Sequence, residues 1–333
     1  MNFDNYFIQE SYKKVQKLGD KLQELKDIID WERFRPMVAS VYYDNKETGG
    51  RPHTDELVIV RALVLQAIYN LSDPQLEFQI NDRLTFRNFV GFPDKVPDFT
   101  TIWKARERLR ESGKGKQIWK ELQRQLKTKG YTIKKGVIQD AMFIEADPGK
   151  KRYQNEKKAK KNNKEIEYTE KQKQHIDKDG TYTKKRGQIH YGYKSHIKVD
   201  ADNHLVRDYE VTTASVHDTQ VDLVKKGDVA AYRDRGYFGS PLKAKGVKDN
   251  TMKRATRSRK LNGGEQKRNK MISRIRAPGE RPFAVKKRIF DGGYTYVKTL
   301  PRVKIKEMFS WLAYNLYQLV TLRKKESANA IKG

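Results

Sequence analysis

Residues 137–144 read Val137-Ile138-Gln139-Asp140-Ala141-Met142-Phe143-Ile144, a short apolar run with one carboxylate inside it. Entered from Gly136, the run has the length and composition of a buried β-strand. Burying an unpaired carboxylate costs several kcal/mol. Asp140 therefore needs either a Lys or Arg partner or a metal ion, and the run alone leaves both open.

Downstream, residues 191–199 alternate as a strand does. Tyr191, Tyr193, Ile197 and Val199 fall on one face, and Lys194, His196 and Lys198 on the other. Residues 205–212 should pair with them across the turn Asp202-Asn203. The pattern then predicts a helix over 217–226 and a strand over 229–232. It continues with a helical stretch over 263–290, broken or entered near Pro278. Last comes an amphipathic helix over 304–323, with Met308, Trp311, Leu312, Leu316 and Leu319 inward. Strands and helices in this order make a mixed α/β domain.

Upstream the periodicity is helical. Val15, Leu18, Leu22, Leu25 and Ile29 recur on one face of residues 12–30, a stripe of about two heptads, which suits packing on the domain better than a coiled coil. A turn is expected at Gly49-Gly50-Arg51-Pro52. Thr54 is the expected cap of a helix over 57–71, and Asp73-Pro74 restarts a helix. Thr100 should cap a helix over 101–111, with Gly113 to Gly115 breaking it before a last helix to about Lys129. The chain thus divides into an all-α domain over 1–130 and the α/β domain over 131–333. Within the second, the lysine-rich residues 150–186 hold almost no aliphatic side chains, so a mobile basic insertion is expected.

The charge points to a partner. In 333 residues, 71 Lys and Arg face 42 Asp and Glu, a net +29 that fits a polyanion, most often nucleic acid. Aromatics at 11% are too many for wholesale disorder. With no cysteine, disulfides, thiolate zinc sites, iron–sulfur clusters and cysteine nucleophiles are excluded. No apolar run approaches the ~20 residues that span a bilayer. A protein of the cell interior, away from membranes, is expected.

Against that charge, individual acids invite questions. Asp234 follows the strand at 229–232 and leads into Arg235-Gly236-Tyr237-Phe238-Gly239, where strand-end side chains project into the crevice of an α/β site. An ordinary Asp-x-Gly turn explains it as well. Glu280, among arginines and lysines from Ser273 to Lys287, reads alone as a solvated surface charge. Together, three carboxylates from two strands and a later helix could hold two Mg²⁺ ions, with Mn²⁺ possible. His217-Asp218 could orient a water, but His217 reads better as a helix cap beside an exposed Asp218. His190 and His196 read as lying on opposite strand faces.

Several motifs carry a resemblance when taken in order. They are Gly50-Arg51-Pro52, Tyr69-Asn70-Leu71-Ser72-Asp73, Pro97-Asp98-Phe99-Thr100-Thr101-Ile102, Asp140-Ala141 with Glu145-Ala146, and Thr183-Lys184-Lys185-Arg186-Gly187. His190-Tyr191-Gly192-Tyr193-Lys194-Ser195-His196-Ile197, Val199-Asp200, Val216-His217-Asp218 and Asp234-Arg235-Gly236-Tyr237-Phe238-Gly239 follow. Over nearly its whole length the chain resembles the DDE transposases of bacterial and archaeal insertion sequences, in particular the insertion-sequence-five family.

The resemblance implies an RNase H-like catalytic domain whose Asp140, Asp234 and Glu280 are the catalytic, metal-holding triad. The family's signature is Tyr, two residues, Arg, three residues, Glu, six residues, Lys. Here Arg276, Glu280 and Lys287 keep that spacing, while Ser273 stands in the tyrosine position. The expected DNA contacts are Arg276, Lys287, Lys286, Arg235 and Lys194 around the centre. Lys104 and Arg108, on the helix capped near Thr100, complete the set as a helix-turn-helix recognition surface or as a merely solvated basic face. The implied partners are double-stranded terminal repeats and target DNA, held by a homodimer in a prokaryotic cytoplasm, at the nucleoid. The competing reading is a non-catalytic end-binding protein derived from a transposase.

Overall fold

In the computed structural model, which describes residues 3–42, 52–149, 152–163, 166–185 and 187–332, the apolar run becomes the central strand β1 (Val137–Ala146). β2 (Thr181–Lys185) and β4 (Val206–Thr213) share one edge of the long strand β3 (Gln188–Asp200). The other edge of β3 runs antiparallel to β1, with Asp140 opposite Ile197. On its far side β1 is parallel to β5 (Ala230–Arg233) and then to β7 (Tyr294–Thr295); β6 (Lys248–Thr251) extends the sheet beyond β5. The result is the expected mixed sheet.

Gly136 sets the approach of β1 to β5. Its φ is +115°, and a Cβ there would lie 2.4 Å from the Ala230 carbonyl oxygen, so only glycine lets the two backbones close.

The front is helical: α1 (Phe3–Lys17), α2 (Lys21–Asp27), α3 (Arg35–Ala39), α4 (Glu56–Tyr69), α5 (Asp73–Asp82), α6 (Leu84–Val90), α7 (Phe99–Glu111) and α8 (Gly115–Thr128). The stripe expected over 12–30 is two helices. The chain breaks at Gly19, Asp20 caps α2 through Leu22 N, and Leu18 is left exposed while Leu22, Leu25 and Ile29 are buried. Asp55 and Asp98, rather than Thr54 and Thr100, cap α4 and α7, because a carboxylate next to the first turn accepts the free N–H groups of Leu57 and Thr101. The turn expected at Gly49-Gly50-Arg51 lies outside the described residues. α4 is apolar nearly all round because other helices enclose it. Among the described residues, no single helix is long and apolar enough to cross a membrane.

The lysine-rich stretch is more ordered than its composition suggests. It forms α9 (Arg152–Lys161), α10 (Glu170–His175) and then β2, although Lys150, Lys151 and Arg186 lie outside the described residues. Buried Asp177 anchors its end: Tyr193 donates to the carboxylate at 2.6 Å and Tyr191 to the carbonyl at 2.8 Å. No helix forms over 217–226. Only a 3₁₀ turn, Asp218–Gln220, is present, since the Gln139 amide bonds Val221 O (2.7 Å) and Leu223 N (3.1 Å) and holds that backbone extended.

α11 (Gly263–Arg276), the 3₁₀ turn Ala277–Glu280 and α12 (Arg281–Arg288) follow the sheet. α13 (Leu300–Lys332) is longer than expected and buries all five predicted side chains, Met308, Trp311, Leu312, Leu316 and Leu319. It lies between the front helices and the sheet and joins their side chains into one core.

Candidate active site

The parallel pairing of β1 with β5 makes the site. Ile138 is registered with Tyr232, and two residues further along each strand stand Asp140 and Asp234. Asp140, within the body of β1, thus stands alongside the C-terminal end of β5, where Asp234 leaves the sheet, and strand ends of this kind are where α/β sheets carry their chemistry. Asp140 is half-buried. One of its oxygens accepts from Ala141 N at 2.9 Å and the other from the Arg276 guanidinium at 2.8 Å. Burial raises its carboxyl to about 6, opposed by Arg276 and reinforced by the fields of Asp234 and Asp218. Asp234 caps the 3₁₀ turn Arg235–Tyr237 by accepting from Gly236 N at 2.8 Å.

Glu280 reaches this neighbourhood differently. The turn carrying it is pressed onto β1 at Gly279, where a Cβ would come within 2.8 Å of the Ile138 side chain. Glu280 itself is exposed, one helical turn beyond Arg276. Among the described residues, no group of three or more His, Asp or Glu side chains closes into a metal cage. Mg²⁺ does not require one, since it keeps several waters and takes one or two carboxylates plus substrate phosphates. An all-oxygen pair, with one carboxyl short of counter-charge for its burial, fits a hard divalent ion.

The expected DNA contacts divide. Lys287 and Arg235 are exposed, and so are Arg254, Arg257, Arg259, Lys260, Lys267 and Lys270, of which Arg259 pairs with Glu265. Arg276 is committed to Asp140. Lys286 is a correction: it is 1% exposed, ion-paired with Glu307 and 4.6 Å from the Trp311 ring, so no phosphate can reach it. Burial lowers its pKa, and Glu307 opposes that. Lys194 is a second correction. It is buried, with its ammonium on Val216 O (2.7 Å) and the Asp218 carboxylate (3.0 Å).

On α7, Lys104 and Arg108 face solvent and line a cleft of about 1090 Å³, with the Arg108 guanidinium 4.9 Å from the Tyr42 ring centre. Arg106 and Arg110 of the same helix pair internally, with Asp73 and with Glu107 and Glu111.

His190 and His196 share one face of β3, as their even spacing requires, against the expectation of opposite faces. His190 stacks on Phe143 and pairs with Glu145 at 2.6 Å, whereas His196 is buried beside Thr212. His217 does cap a turn, accepting from Thr219 N, but Asp218 is only a third exposed. The sequence reading of Asp218 as an exposed aspartate missed its pairing with Lys194, a partner 24 residues away on β3.

A family model described as a transposase DDE domain matches residues 131–316, and one described as a transposase domain matches residues 9–108. No solved structure matches the chain.

Proposed function

We propose that this chain, which belongs to the DDE transposases of the insertion-sequence-five kind, cuts the ends of its insertion sequence and joins them to target DNA at Asp140 and Asp234. An RNase H-like fold follows from that membership. The observation carrying the reading is the β1–β5 register, which supports a two-carboxylate centre beside the end of β5.

Asp140 and Asp234 would hold a divalent ion, Mg²⁺ or Mn²⁺, and Glu280 would join them, with a second ion, as DNA engages. When bound, such ions supply Lewis-acid stabilisation of phosphoryl oxygens and a more acidic attacking water or 3′ hydroxyl. Lys287, Arg235 and the exposed arginines and lysines over 254–270 hold the phosphates of the cut strand, giving affinity without reading sequence. Arg276, paired with Asp140, would turn to a phosphate once a cation takes its place beside the carboxylate. Lys104 and Arg108 grip the terminal repeat. Two copies hold two ends, and the chain acts at the nucleoid in a prokaryotic cytoplasm.

The test is a Mg²⁺-dependent cleavage and joining assay on the DNA flanking the gene, with wild type, Asp140→Ala and Asp234→Ala. End-specific cuts and strand-transfer products should appear with wild type and fall at least ~10³-fold in either variant. Specific end binding with no cutting by wild type would instead mark an end-binding protein. Cutting that survives Asp140→Ala would overturn the assignment of the centre.

A further inference from the structure

Asp218 lies next to this centre without being one of its three expected acids. It opens the 3₁₀ turn Asp218–Gln220, which packs against the turn Arg235–Tyr237 led by Asp234; Ser240 Oγ donates to Thr219 O across the two at 3.4 Å. Lys194 fixes the carboxylate from below at 3.0 Å. That lysine is itself held by Val216 O and lies 5.3 Å from the Phe143 ring centre. The field of Asp218 is felt by Asp140, by His196 and by Tyr237.

Tyr237 supplies an independent observation. It is 2% exposed, and its hydroxyl makes no hydrogen bond of normal geometry. The Gln139 side chain is engaged elsewhere, its amide donating to Val221 O and its oxygen accepting from Leu223 N. Three carboxylates, Asp140, Asp218 and Asp234, act on that phenol. A buried O–H without an acceptor is costly and marks a place where a polar group is missing. The turn that carries Tyr237 is the one Asp234 caps.

We propose that Asp218 is a positioning residue of the DDE centre: held by Lys194, it accepts a hydrogen bond from the hydration water of a divalent cation carried by Asp140 and Asp234. The inference rests on the metal-dependent reading above. It follows from two constraints. Mg²⁺ retains several waters, which are strong donors that need oriented acceptors. No third carboxylate or imidazole among the described residues is close enough to ligate directly, so Asp218 acts one water away. Lys194 thus has an internal role, holding the Asp218 carboxylate in place.

The test is Mn²⁺ binding to the full-length chain without DNA, read from loss of the free-ion paramagnetic resonance signal. Asp140→Asn should abolish the site. Asp218→Asn should weaken Mn²⁺ about 10-fold, the lower range for an outer-shell partner, while circular dichroism at the assay temperature shows the variant folded. Asp218→Glu, which keeps the charge and the acceptor, should restore most of the affinity. If Asp218→Asn binds Mn²⁺ as wild type does while Asp140→Asn does not, the role of Asp218 is refuted and the centre stands. If Asp140→Asn also binds unchanged, the centre itself is misplaced and both readings fall.

Discussion

Burial holds the Asp140 carboxyl at about 6 although Arg276 lies 2.8 Å away, so the side chain keeps too little counter-charge for its depth. A carboxyl raised from 3.8 in the unfolded chain to about 6 in the fold takes up a proton on folding between those values. Its contribution is fully favourable below 3.8 and is lost as pH rises through 6. A displacement of that size is worth at most about 3 kcal/mol. Without divalent metal, Asp140→Asn should therefore be more stable than wild type at pH 7, and the gap should close towards pH 4. Urea unfolding in EDTA at several pH values checks this; a gap independent of pH would show that Asp140 titrates normally. The same scale explains what sequence reading could not see. Lys286 and Lys287 are neighbours with the same side chain, yet one is sealed against Glu307 and the other open. Nothing local distinguishes them, because the deciding carboxylate lies 21 residues away on α13.

At the scale of elements, the placement of Asp140 beside Asp234 depends on how closely two parallel strands approach. Gly136 controls that distance. Gly136→Ala would add a Cβ at 2.4 Å from a backbone carbonyl in a left-handed conformation, and should cost about 2–4 kcal/mol. A loss below about 1 kcal/mol in urea unfolding would mean that β1 and β5 tolerate separation. β1, β3, β4 and α13 were legible because each carries its own periodicity or apolar run. The helix expected over 217–226 was not avoidable by such reasoning, since what holds that segment extended is the amide of Gln139 on another strand. The order in the lysine-rich stretch was hidden for a similar reason. Asp177 and Tyr182 anchor it to the β3 tyrosines, and composition averages such anchors away.

Across the whole molecule, α13 ties the front helices to the sheet. Arg302 pairs with Glu107 of α7, and Trp311 Nε1 donates to Ser195 Oγ of β3 at 2.9 Å. Asn315 bonds both Val206 N and Val206 O, and Lys324 pairs with Glu24 of α2. Because one core runs through these contacts, the amides of α4 and β1 should exchange with the same free energy of opening. Native-state hydrogen exchange in low urea measures both; α4 opening well below β1 would show that the front comes apart by itself. On the reading proposed above, in which the front helices grip the terminal repeat, swapping front ends between related elements would change end specificity, and α13 restricts it. A graft joined at the link before β1 would bring foreign α2, α4 and α7 surfaces against a helix shaped for the old ones. New recognition is then gained either by changing exposed side chains on the resident helices or by exchanging the first and last segments of the gene together.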